Sequence, residues 1–181
     1  PLKPPLMGAA RNGSLPIVNM LISAGSDPNA LYRIAPHLTD DVWSALFLTV
    51  LAQKRDSVAI ADALLKAGAD PNPPENAERS LMEWAIWIAH RDRCLWPVLL
   101  RGGAILPPRV NPNNGNAGFQ AWNNQLARPY LEKIEAAGSW AAYEKAHRAK
   151  LLATFAPKFT HLVPPELVAR IVEYSFHLGF Y

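Results

Sequence analysis

The segment Leu64–Pro73 reads LLKAGADPNP, and the chain has already written Leu21–Ala30 as LISAGSDPNA, 43 positions earlier. A chain without low-complexity bias spells ten residues twice when one supersecondary unit is being stacked, so internal repetition is the first thing to settle. Working outward from these two stretches aligns residues 4–30 (PPLMGAARNGSLPIVNMLISAGSDPNA) with 44–73 (SALFLTVLAQKRDSVAIADALLKAGADPNP). A third copy, SLMEWAIWIAHRDRCLWPVLLRGGAILPP, follows at 80–108. Each copy reads as two short helices and a turn.

The first helix of a copy carries apolar or small residues at helical spacing: Leu6, Ala9 and Ala10, then Leu46, Val50 and Leu51. Small residues allow neighbouring helices to approach closely. The second helix repeats the pattern with Ile17, Val18, Leu21 and Ile22, then Ile60, Ala61, Leu64 and Leu65. Ser14 and Ser57 stand where an N-cap oxygen would accept free amide hydrogens. Gly25 and Gly68 stand where a helix ends in a left-handed residue, and the Asp-Pro-Asn behind them is turn chemistry.

Taken together, these residues resemble the ankyrin repeat. Pro5-Leu6 correspond to its opening motif, AARNGSLPIVNMLISAGSDPN to the body of one repeat, and LLKAGADPN to the end of the next. The resemblance covers roughly residues 2–108. It implies an all-α solenoid of about three degenerate repeats, with hairpin loops projecting at right angles and a concave surface that binds other proteins. This chain departs from the family in its spacing. The family period is about 33 residues, whereas Gly25 to Gly68 is 43 and Gly68 to Gly103 is 35. The excess falls mainly in LYRIAPHLTDDVW (31–43). The third copy drops the aspartate and asparagine and reads GGAILPPR, so its outgoing hairpin is expected to be irregular and to serve as an end cap.

Residues 109–125 are rich in asparagine, glycine and proline and read as a loop. A helical C-terminal region, 126–181, follows and is expected to pack on or cap the third repeat. PYLEKIEAAG opens on proline and closes on glycine. SWAAYEKAHRAKLLATF puts Trp140, Tyr143, His147, Leu151 and Phe155 on one stripe, and PPELVARIVEYSFHLGFY puts Leu167, Val168, Ile171, Val172 and Ser175 on one face. The stretch LVPPELVARIVEY (162–174), with Pro165, Glu166, Leu167 and Ile171, is similar to the opening helix of an F-box. That resemblance implies a substrate adaptor of a ubiquitin ligase, and requires Leu167 and Ile171 to be exposed. The tail as a whole is similar to the C-terminal regions of ankyrin proteins from unicellular algae.

Lysine and arginine number 18 against 15 aspartates and glutamates, spread along the chain rather than gathered in a stripe, which argues against a nucleic-acid partner. One cysteine, Cys94, excludes an internal disulfide and fits an intracellular compartment. No apolar run of about 18 residues offers a membrane span, although association with a membrane complex stays open. The opening PLKPPLMGAA neither starts with methionine nor has a secretion signal's charged-then-apolar layout, so an N-terminally truncated or processed chain is expected.

Catalysis needs a nucleophile with a base, paired carboxylates or a metal cluster. The five histidines, His37, His90, His147, His161 and His177, lie far apart, and Cys94 reads as a packing residue despite Arg91 and Arg93 beside it. The expectation is a protein that is not an enzyme and takes no cofactor or metal. Partner-binding candidates are Tyr32, Arg33, His37 and Trp43 in the long insertion, where hairpins of this type meet partners, and Trp84 and Trp87 in MEWAIWIAH. The function expected is a protein-interaction module or scaffold. The alternatives are a permanent accessory subunit of a large assembly, an organellar membrane complex included, and the ligase adaptor.

Overall fold

The structure, a computed structural model, describes residues 3–33, 42–72, 80–88, 94–109, 121–159, 163–164 and 166–171. The chain falls into two compact units, Pro1–Ala127 and Arg128–Tyr181.

The first unit is built from three helix pairs: α1 (Pro5–Asn12) with α2 (Leu15–Ser23), α3 (Ala45–Ala52) with α4 (Ser57–Lys66), and α5 (Leu81–Ile88) with α6 (Leu95–Arg101). The first helices pack side by side, α1 on α3 and α3 on α5. The second helices do the same, α2 on α4 and α4 on α6, which makes two layers. Apolar side chains fill the space between: Leu6, Met7, Val18, Leu46, Leu48, Ile60, Leu64, Met82, Ile86 and Leu99 are all buried. Ala9 and Ala10 are buried too, as small residues at a close helix contact must be. The long insertion contributes an antiparallel pair, β1 (Tyr32–Arg33) and β2 (Val42–Trp43), in which Tyr32 faces Trp43 and Arg33 faces Val42.

Every second helix ends in the same way. Gly25, Gly68 and Gly103 have φ of 83°, 92° and 96°. Their amides donate to Ile22, Leu65 and Leu100, and the next amides, of Ser26, Ala69 and Ala104, donate to Leu21, Leu64 and Leu99, all at 2.9–3.1 Å. This is a Schellman cap repeated three times, satisfying carbonyls that a helix end otherwise leaves to water.

The turn asparagine then clasps the next pair. Asn29 donates from Nδ2 to the Gly68 carbonyl at 2.8 Å and accepts the Asp70 amide at 2.7 Å. Asn72 does the same one unit on, to the Gly103 carbonyl at 2.8 Å and from the Ile105 amide at 2.9 Å. Asp27 and Asp70 hold each asparagine in place by accepting its amide at 2.8 Å. In the third pair the clasping position is Pro107, which has no side-chain amide. Its carbonyl instead accepts the Trp122 indole N–H at 3.0 Å, while the Arg109 guanidinium lies 4.2 Å over the same ring. Residues 121–123 are thus a helical turn inside the stretch expected to be a loop, with Ala121 and Trp122 buried. Asn and Gly density on both sides of this turn hides it from composition.

The serine caps differ from expectation. Ser14 occupies the N-cap of α2 but makes no side-chain cap bond. Pro16, the second helical residue, has no N–H to offer it. Asp56, not Ser57, is the N-cap residue of α4. The buried Ser57 hydroxyl turns back, accepting the Lys54 amide at 2.8 Å and donating to the Thr49 carbonyl at 3.3 Å, so it closes the turn between α3 and α4. Side-chain caps are found instead on the first helices. Ser44 accepts the Phe47 amide at 3.1 Å, and Ser80 and Glu83 form a reciprocal capping box with bonds of 3.2 and 2.6 Å.

The second unit contains α7 (Arg128–Ala136) and α8 (Trp140–Phe159), joined at Gly138 (φ 80°). Ser139 caps α8 by accepting the Ala142 amide at 3.1 Å. Leu131 and Ile134 of α7 are buried; of the expected stripe of α8, Trp140, Tyr143, His147 and Leu151 are half-buried and Phe155 is exposed. Residues 166–171 are helical; Val168 is buried, while Leu167 and Ile171, placed with it on one apolar face, are exposed. Val172 and Ser175 lie outside the described residues.

Candidate protein-binding surface

The insertion and the first helices meet in a run of aromatic rings. Trp43, at the end of β2, has its ring centroid 5.7 Å from that of Phe47 on α3. Phe47 stands edge-on to Trp84 of α5, again at 5.7 Å and with planes 85° apart. Trp84 in turn stands edge-on to Trp87 at 5.2 Å and 76°. These separations and tilts lie in the favourable range for aromatic pairs.

Position on the helices explains the arrangement. The Ser44 cap starts α3 so that Phe47 falls in its first turn, 5% exposed, and the Ser80–Glu83 capping box starts α5 so that Trp84 falls in the matching turn. Trp84 and Trp87 are three residues apart and therefore share a helix face. Burial is greatest at Phe47; Trp43 and Trp84 on either side of it are half-buried, and Trp87 is 54% exposed. Leu31, next to Tyr32, is exposed as well. A large ring held by other rings and open to solvent has little rotamer freedom left to lose on binding.

Of the candidates read from sequence, Trp43, Trp84 and Trp87 are brought into one run, and Tyr32 is paired to Trp43 through the backbone. Arg33 sits beside Tyr32 in β1, opposite Val42. His37 and Pro165 lie outside the described residues. Glu166, Leu167 and Ile171 belong to the second unit. Sequence reasoning missed Phe47, which links the two groups, because that link depends on how α3 packs against α5. The helical spacing of MEWAIWIAH marks α5 as apolar on several sides, but not which side stays open.

A second aromatic cluster holds the helices of the second unit together. Tyr130 of α7 lies 6.1 Å from Trp140 and 5.9 Å from Tyr143, and His147 stacks on Tyr143 at 5.5 Å with planes 11° apart. Burial, with Lys133 and Lys150 adding repulsion, lowers the His147 pKa below its ordinary value, and burial raises that of Tyr143. His147 is therefore a packed side chain. Arg148 and Glu144 form a partly buried ion pair at 3.1 Å beside it.

Among the described residues no group of three or more His, Cys, Asp and Glu side chains is placed to hold a metal ion. None of the described helices is long and apolar enough to cross a membrane. Cys94 is half-buried just before α6.

Helix pairs with one turn geometry, clasped in series by asparagine, define a stacked-repeat protein. Residues 3–32 match the family model of the ankyrin repeat, and the all-α stacking of the three helix pairs is consistent with that fold. No curated protein matches the chain. The ankyrin repeat is a protein–protein interaction module and is generally non-catalytic.

Proposed function

We propose that this chain is a non-catalytic interaction module that takes its protein partner on the surface where the β1–β2 pair meets α3 and α3 meets α5. The observation that carries this reading is the aromatic run ending on Trp87, an exposed ring set edge-on against Trp84. Tryptophan in such a setting is the commonest kind of binding hot spot, and its truncation typically costs about 2 kcal/mol or more of binding, roughly thirtyfold in affinity. Affinity capture from cells of the source organism is the test. The wild-type chain recovers one dominant partner, Trp87→Ala loses most of it, and Arg33→Ala with Trp43→Ala weakens it. Because Trp87 is 54% exposed and packs on Trp84, its variant stays folded and loses about 0.5–1.5 kcal/mol of stability. Undiminished recovery by Trp87→Ala sinks the reading. A permanent accessory-subunit role uses the same face and differs only in partner lifetime, so capture that survives extensive washing favours it.

Exposure of Leu167 and Ile171 supports a second reading, the ligase-adaptor one, since an adaptor helix must present these side chains. Its test is direct binding of the full chain to the ligase's F-box-binding subunit, and Leu167→Glu with Ile171→Glu as the control that should abolish it. No binding by the unaltered chain ends it.

A further inference from the structure

Both α1 and α3 end on a left-handed residue, but the two residues differ. At the end of α1 it is Gly13 (φ 75°), and backbone closes the helix: the amides of Gly13 and Ser14 donate to the Ala10 and Ala9 carbonyls at 3.1 Å. At the end of α3 it is Gln53 (φ 44°), the one non-glycine residue in the left-handed region among those described. A residue with a Cβ is strained there, and such strain persists only where the surroundings fix it. Ser57 fixes it here. Its hydroxyl accepts the amide of Lys54, the residue after Gln53, and donates to the Thr49 carbonyl, so the chain leaving Gln53 is tied back onto α3.

From this backbone position the side chain reaches the third helix pair. Gln53 Nε2 donates to the Ile88 carbonyl at 2.7 Å in a part-buried bond. Ile88 is the last residue of α5, so the last four carbonyls, of Ala85, Ile86, Trp87 and Ile88, are the ones a helix leaves to side chains or water. Side chains from three other places take three of them. Trp96 Nε1 donates to Ala85 at 3.2 Å, Asn124 Nδ2 to Ile86 at 3.5 Å, and Gln53 to Ile88. The Gln53 bond is the shortest of the three and the nearest to the helix end.

Trp87 lies in this turn. Its ring is 54% exposed and meets Trp84 edge-on, so its own burial does little to keep the turn wound. A last turn frays at small cost unless its carbonyls are held, and a ring on a frayed turn must be ordered again each time it binds. We infer that Gln53 is a positioning residue for the binding surface: it holds the Ile88 carbonyl and so keeps Trp87 set before a partner arrives. The inference rests on Trp87 being the anchor, and it makes the turn between α3 and α4 the element that governs that anchor.

The test uses the full 181-residue chain. Gln53→Glu keeps the size of the side chain, but a carboxylate cannot donate to a carbonyl; Gln53→Lys keeps a donor on an arm of similar reach. In Gln53→Glu the Trp87 and Ile88 amides should exchange about fivefold faster, the worth of one hydrogen bond, while α3 amides keep their rates. Recovery of the protein captured by the wild-type chain should fall by a similar factor. Gln53→Lys should restore both. Gln53→Gly should melt close to wild type, because relief of the left-handed strain offsets the lost bond, yet it should show the same faster exchange and weaker capture. That combination separates positioning from overall stability. The inference is overturned if the Trp87 and Ile88 amides keep wild-type exchange in Gln53→Glu and Gln53→Gly, or if Gln53→Lys behaves like Gln53→Glu. It is overturned alone, with the surface reading intact, if Trp87→Ala loses the partner and Gln53→Glu captures it fully. Full capture by Trp87→Ala removes the surface reading and this inference with it.

Discussion

Replacing Asn72 by alanine isolates the clasp between the second and third helix pairs. The substitution removes two hydrogen bonds, Nδ2 to the Gly103 carbonyl at 2.8 Å and Oδ1 from the Ile105 amide at 2.9 Å, and leaves the turn bond from the Asn72 amide to Asp70 in place. Each such bond contributes about 1 kcal/mol net where water can compete, so the loss is about 2 kcal/mol. For a chain of this size that corresponds to a Tm lowered by about 4–8 °C. Tryptophan fluorescence suits the measurement, because Trp43, Trp84, Trp87, Trp96 and Trp122 all lie in the first unit and only Trp140 in the second. Asn29→Ala should cost a similar amount at its own junction, and the double variant should depart from additivity, since Asp70 serves both clasps: its amide donates to Asn29 and its carboxylate holds Asn72. Pro107→Ala is the control: position 107 clasps nothing downstream through its side chain, and its carbonyl bond to Trp122 is a backbone one. If Asn72→Ala melts within about 0.5 kcal/mol of wild type, the clasp adds nothing to the junction and Asn72 is only a turn residue.

Three further outcomes follow from the packing. A Cβ at Gly102 would lie 2.6 Å from a Leu65 methyl, so Gly102→Ala should destabilise by about 1–3 kcal/mol, and Leu65→Ala in the same chain should recover part of the loss in urea unfolding. Ser57→Ala should cost about 1–3 kcal/mol, because it removes the buried partner of the Thr49 carbonyl and the part-buried partner of the Lys54 amide; Ser57→Thr, which keeps the hydroxyl, should cost less. His147 has its pKa lowered in the folded chain, so the unfolded chain binds the proton first as pH falls. Stability from this residue is complete above the unfolded value of about 6.5, declines as pH drops from there to the folded value, and is level below that. Following the second unit's opening by hydrogen exchange of α7 and α8 amides, corrected for the intrinsic pH dependence of exchange, between about pH 7.5 and 5, which brackets the unfolded value, His147→Gln should flatten that decline. An unchanged pH profile would remove His147 as its source.

The stacked helix pairs were legible from sequence because their signals are local. Gly25, Gly68 and Gly103 need no neighbour to end a helix in the left-handed region. The apolar residue eight positions before each of them, Ile17, Ile60 or Leu95, marks a face of the second helix without saying what that face meets. The same locality misled at Ser14 and Ser57, where position suggested caps. Pro16 removes one donor, and Ser57 finds better partners in the preceding turn than in its own helix. The candidate surface was legible only in parts. Trp43 and Trp87 could each be marked as anchors, but Phe47, the ring that joins them, reads in sequence as one more apolar residue of α3.

By itself, then, the amino-acid sequence determined where the second helix of each pair stops and that one unit is written three times. Tertiary structure alone decided what those repeated parts touch. Asn29 and Asn72 became clasps because a following glycine carbonyl came within reach, and the Pro107 carbonyl found the Trp122 indole N–H. Of three apolar residues at one register, two are buried and Ile17 is not. The reason is physical: dihedral preference and capping belong to a few consecutive residues, whereas burial and clasping belong to pairs of groups roughly 30 to 40 positions apart, whose meeting no stretch of sequence records.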